Sequence, residues 1–154
     1  MTGRFAVLLL LASVLPAAAQ DAASLDALVD AERLTLKNDC KALELGRDFV
    51  RRVDIDGNRR EDVMLDFGAV DCDGSNRRFC GDKGCHVALF LQEGDGSFTG
   101  IGRMGVLDIS FDRPNGMWPS FLAILPGSEC GKPVADPCAV RYELRSGQLR
   151  MIRE

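Results

Sequence analysis

The stretch His86-Val87-Ala88-Leu89-Phe90-Leu91-Gln92 sets five consecutive apolar residues between polar ends. A half-exposed strand alternates apolar with polar, so an unbroken run of this length reads as a strand covered on both faces, at the centre of a sheet. Further strands are expected on both sides of it. Toward the C-terminus, short apolar segments at 98–101, 106–109, 121–125, 139–144 and 148–152 are parted by Gly94-Asp95-Gly96, Arg113-Pro114-Asn115-Gly116 and Ser146-Gly147. Toward the N-terminus, segments 49–54 and 63–67 are parted by Asp56-Gly57-Asn58. All of these separators are turn chemistry. Val140, Tyr142 and Leu144 alternate with Arg141, Glu143 and Arg145, the pattern of a half-exposed hairpin around Ser146-Gly147. Such short spacings leave no room for crossover helices, so the sheet is expected to be mainly antiparallel. Before it, residues 24–36 read as a helix: Ser24 can cap, Asp26 suits the first turn, and Leu25, Leu28 and Val29 share a face. The predicted fold class is α+β, a mainly antiparallel sheet with one N-terminal helix packed on it, braced by disulfides.

Residues 1–19 carry Arg4, the apolar run from Phe5 to Leu15, and Pro16-Ala17-Ala18-Ala19, which is the order of a secretory signal with cleavage after Ala19. The run is shorter than the roughly 20 residues that span a bilayer, no cysteine adjoins the boundary to take a lipid, and no later segment is apolar enough to cross. Removing 19 of the 154 residues leaves 135, enough for one exported domain at 20–154 with its own core. The loss of Arg4 leaves 18 basic against 23 acidic residues. An acidic chain gains little from releasing counterions on nucleic acid, so that partner is excluded, and the pairs Arg51-Arg52, Arg59-Arg60 and Arg77-Arg78 read as solvated faces.

Cys40, Cys72, Cys80, Cys85, Cys130 and Cys138 all fall in the mature chain, and six cysteines behind a signal read as three disulfides. Sequence leaves about fifteen pairings open. Short intervening loops favour Cys130 with Cys138 and Cys80 with Cys85, which leaves Cys40 for Cys72. In the chain-entropy model the short loops contribute about 2 to 3 kcal/mol each and the long one nearer to 4.

The segment Asp54-Ile55-Asp56-Gly57-Asn58-Arg59-Arg60-Glu61-Asp62 runs directly into Val63-Met64-Leu65. Calcium takes six to eight oxygens, and alternate acids or amides on a curled loop can aim several at one point. Side chains of Asp54, Asp56, Asn58 and Asp62 with the carbonyl of Arg60 make five such positions. Leu65 stands where an EF-hand has its bidentate Glu. These residues resemble the strand-loop-strand calcium motif of FG-GAP and integrin-type β-propeller repeats, D-x-D-x-D/N-G-x-x-D before an apolar strand, except that Arg59 replaces the glycine of the sixth place. The wider pattern, with Cys72 and Cys80-x-x-x-x-Cys85, resembles a group of small uncharacterised exported proteobacterial proteins, which implies a periplasmic or secreted location. A structural alternative is a turn whose side chains bond its own backbone and hold two strands in register. Asp71-Cys72-Asp73-Gly74-Ser75-Asn76-Arg77-Arg78 echoes the loop but ends in Phe79, and the echo is read as coincidence.

Cys80-Gly81-Asp82-Lys83-Gly84-Cys85-His86 places two thiols before the single histidine, a loosened version of the C-x-x-C-H pattern that carries c-type haem. A strand follows it where a haem segment enters a helix, so a closed turn is the favoured reading. The spacing does not suit a thioredoxin-like site, one histidine is too few for catalytic zinc, and no G-x-S-x-G marks a serine hydrolase. Met117-Trp118-Pro119 is read as a core edge. The function expected is a non-catalytic exported domain for binding a protein or envelope component, braced by calcium. A haem protein using Cys80, Cys85 and His86, and a hydrolase using two of the carboxylates, are the alternatives.

Overall fold

The computed structural model describes residues 24–111 and 120–152. The signal segment 1–19, the Arg113-Pro114-Asn115-Gly116 turn and Met117-Trp118-Pro119 lie outside the described residues.

Helix α1, Leu25–Asp39, starts as its sequence dictates, with the Ser24 side chain accepting from the Ala27 N–H at 3.3 Å. It runs three residues beyond the expected Leu36, because Lys37-Asn38-Asp39 holds nothing that breaks a helix. It ends where Cys40 turns into extended backbone and is tied to Cys72. The strands follow as β1 Leu43–Leu45, β2 Val50–Val53, β3 Asp62–Asp66, β4 Val70–Cys72, β5 Cys80–Gly81, β6 Gly84–Gln92, β7 Phe98–Val106, β8 Asp108–Ser110, β9 Ser120–Leu125, β10 Cys138–Arg145 and β11 Gln148–Ile152. Every pairing among them is antiparallel.

β6 is the central strand that its composition demands. β3 and β7 pair along it, and β5 joins only at its start, where Cys85 faces Cys80 on one edge and Val106 on the other. Val87, Ala88 and Leu89 are each no more than 2% exposed. Their alternation divides the interior in two. Val87 and Leu89, with Met64 of β3, pack against Ile109, Phe121, Ala123, Leu125 and Val140 of a second sheet ordered β11-β10-β9-β8. Ala88, with Val63 and Leu65, packs on the opposite side with Phe49, Phe67, Val70 and Leu36 of the helix. The result is three layers, helix on sheet on sheet, as in the expected α+β class.

Segments 98–101 and 106–109, expected as two strands, belong instead to the nine-residue β7 and then to β8 in the other sheet. Three glycines in Phe98–Val106 gave that stretch the look of a turn, but tertiary contact requires at least one of them: a Cβ on Gly105 would lie 2.7 Å from the Lys83 carbonyl oxygen. Leu107 makes the change of sheet, its N–H donating to the Ile124 carbonyl at 2.8 Å. β1, β4 and β5 were not expected. They are two or three residues long, too short for periodicity to mark, and a disulfide adjoins each pairing. The hairpin at Ser146-Gly147 is as expected, with both residues at positive φ, the geometry a two-residue turn needs.

The bridges are Cys40–Cys72, Cys80–Cys85 and Cys130–Cys138. No helix among the described residues is long and apolar enough to cross a membrane.

Candidate metal centre

The loop between β2 and β3 starts and ends on a paired position, Val53 opposite Asp62. Ile55, 1% exposed, plugs into the core between the sheets and pins the loop down. Around that anchor the backbone curls, with Gly57 at φ 80° and Arg59 at φ 67°. The sixth place is therefore left-handed although it carries a side chain, at a cost of about 1 kcal/mol relative to glycine.

Side chains supply the bonds that the irregular backbone lacks. Asp54 Oδ1 accepts from the Gly57 N–H at 2.7 Å. Asp56 Oδ1 accepts from the Asn58 N–H at 3.0 Å, and its Oδ2 accepts from Asn58 Nδ2 at 2.7 Å. Asn58 Oδ1 accepts from the Arg60 N–H at 2.6 Å. Asp62 is wholly buried and closes the loop. Its Oδ2 accepts from Ile55 N–H at 2.7 Å and Asp56 N–H at 3.3 Å, while Oδ1 accepts from the Gln92 N–H at 2.8 Å at the far end of β6. Burial pushes the Asp62 carboxyl above the ordinary carboxylate range, helped by the charge on Asp56 and opposed by the three N–H groups.

Of the five expected ligands, the fold gathers three. Carboxylate oxygens of Asp54, Asp56 and Asp62 lie within 4.8 Å of one another. Asn58 turns its amide oxygen to the Arg60 N–H, and the Arg60 carbonyl accepts from the Asp62 N–H at 3.2 Å. The Arg60 guanidinium reaches across to the Gln92 carbonyl, and Arg52 pairs with Glu61. Carboxylates this close repel one another, and a divalent cation would bind favourably between them. An ionised carboxylate has about four lone-pair sites, which leaves each acid oxygens to offer beyond its N–H bonds. The Gln92 partnership was not legible in the sequence, because it joins residues thirty apart through a backbone group.

The echo at Asp71 shares two of the loop's side-chain bonds. Asp71 Oδ1 accepts from Gly74 N–H at 2.7 Å, as Asp54 does from Gly57, and Ser75 Oγ accepts from Arg77 N–H at 3.1 Å, as Asn58 does from Arg60. The loops diverge at the third and ninth places: Asp73 Oδ1 takes the N–H of Ala42 at 2.8 Å, and Phe79 packs on Phe67 with ring centres 5.8 Å apart.

Compared with known protein families, curated proteins and solved structures, the chain finds no match. The site has to be read from its own chemistry.

At the other end of β6, the Cys80 and Cys85 sulfurs are joined, so a thioether to haem at either would require that bridge to open first. His86 follows on an exposed position of β6.

Proposed function

We propose that the mature chain is a non-catalytic exported domain of the periplasm or secreted space, binding a protein or envelope component, with calcium held in the loop of Asp54, Asp56, Asn58 and Asp62. The convergence of three carboxylates, with oxygens within 4.8 Å of one another, carries the reading, because calcium takes six to eight oxygen ligands and such a cluster offers several of them to one centre. Three disulfides favour an oxidising compartment, which is also where calcium is plentiful enough for a weak site to fill.

Thermal melting of the mature protein in calcium and in chelator tests the ion. For an extracellular-type site with Kd near 0.1–1 mM, 10 mM calcium adds about 1.4 to 2.7 kcal/mol, or roughly 5 to 10 °C in Tm. Identical melting curves with no heat on titration would remove calcium from the account. Cell fractionation tests the compartment: the expected product is periplasmic or secreted and begins at Gln20.

A further inference from the structure

The three bridges are unequally protected. Cys40 and Cys72 are both buried, and Cys138 is buried against a half-buried Cys130, whereas Cys80 and Cys85 are both half-buried at the tip of a hairpin whose Gly81, Asp82 and Lys83 are exposed. The register sets Cys80 directly opposite Cys85, with Gly81 opposite Gly84 and only Asp82 and Lys83 between them. This bridge joins residues that the backbone ladder already sets opposite one another. Its loop is the shortest of the three, so it restrains the unfolded chain least. The more accessible bridges, and those that restrain the unfolded chain least, are the ones that exchange first.

We propose that Cys80–Cys85 is a thiol–disulfide exchange site, opened by an external dithiol while Cys40–Cys72 and Cys130–Cys138 stay closed. Gly68 crowds one of its sulfurs: a Cβ built there would lie 3.1 Å from Cys85 Sγ. Attack therefore falls on Cys80 Sγ. A donor thiolate bonds to that sulfur, the bridge breaks, and Cys85 leaves as thiolate. The donor's second thiolate then attacks the donor sulfur of the mixed disulfide and releases Cys80. Two electrons pass from donor to bridge, the donor ends as a disulfide, and its two protons end on Cys80 and Cys85.

The exchange has a structural consequence. Phe79 and His86 flank the bridge, joined by the His86 N–H to Phe79 carbonyl bond at 2.9 Å, and both line a cavity of about 480 Å³ with Leu36, Phe67, Arg103 and Met104. Opening the bridge removes the covalent tie beside the Phe79 and His86 walls of this cavity, so the environment of its lining changes with the redox state. The site lies at the opposite end of β6 from Gln92 and is independent of any ion in the acidic loop.

The test is graded dithiothreitol treatment of the folded mature protein, followed by alkylation and peptide mass mapping. Cys80 and Cys85 are expected to be labelled about tenfold faster than the other four, with shifts of the Phe67 and Met104 resonances in step. A folded Cys80→Ala/Cys85→Ala variant should expose no thiol over the same interval. Earlier opening of either other bridge, labelling of all six together, or a thiol that appears in the double variant at the wild-type rate would overturn the proposal.

Discussion

Residues 54–62 and 71–79 begin as the same loop and end as different ones. Each opens with an aspartate that accepts the N–H of a glycine three residues on, and each places a buried residue second, Ile55 in one and Cys72 in the other. The fifth side chain in each accepts the N–H of the seventh residue. The first loop then returns to a buried acid, Asp62, whose carboxylate lies within 4.8 Å of those of the half-buried Asp54 and Asp56. The second returns to Phe79, which joins the core, and Cys72 is tied to Cys40 of the helix end. The loops share their first and fifth side-chain bonds but not their curl, with left-handed residues at Gly57 and Arg59 in one and at Asp73 and Gly74 in the other. The closing residue decides whether the loop is a centre of charge or a wall of the core.

The largest effect should come from removing the covalent closure of the second loop. Cys40→Ala/Cys72→Ala is expected to lower the unfolding free energy by about 4 kcal/mol in urea titrations, by the chain-entropy estimate for a loop of this length. Asp62→Ala, which removes the closure of the first loop, leaves three N–H groups without their acceptor and should lose about 3 kcal/mol. A loss under about 1 kcal/mol would mean that Asp62 does not hold the first loop together.

Acid sharpens the contrast further. The folded-state pKa of Asp62 lies above its ordinary 3.8, so the folded protein binds this proton more tightly than the unfolded chain does. Its contribution to stability is therefore greatest below 3.8, declines as pH rises from there through the raised folded value, and stays at the lower level above it. Asp62→Asn should erase this slope, seen as the difference between wild-type and variant stability over pH. Calcium, which favours the ionised form, should bind more tightly as pH rises through the same window.

The smallest effect lies at the left-handed residues. Arg59→Gly should stabilise by up to about 1 kcal/mol, because Arg59 adopts φ 67° with no side-chain bond in the loop to offset it. Asp73→Gly, at φ 56°, should give no gain, since it also removes the acceptor of the Ala42 N–H. Equal gains at both positions, by thermal melting, would contradict the roles given to the two side chains.

Much of the fold could be read from local pattern. The unbroken Val87-Ala88-Leu89-Phe90-Leu91 run identified the central strand, Ser24 the helix start, and Ser146-Gly147 the last hairpin, because each carries its signal within a few residues. Strand β7 could not be read as one element, since its glycines answer to Lys83 and other neighbours known only once the chain is folded. The short strands β1, β4 and β5 owe their form to partners and bridges rather than to their own composition. In the acidic loop the spacing picked out Asp54, Asp56 and Asp62, which do converge. The closing role of Asp62 depends on Gln92, and the kinship of the second loop on hydrogen bonds that letters alone do not show.

The most direct measurement of the central claim is a calcium titration of the ¹⁵N-labelled mature protein, following backbone amides in both loops at once. The account predicts saturable shifts at Ile55, Asp56, Gly57 and Gln92, with Gly74 and Arg77 unmoved. Amides of the first loop that stay still at millimolar calcium, or two loops that shift alike, would contradict it.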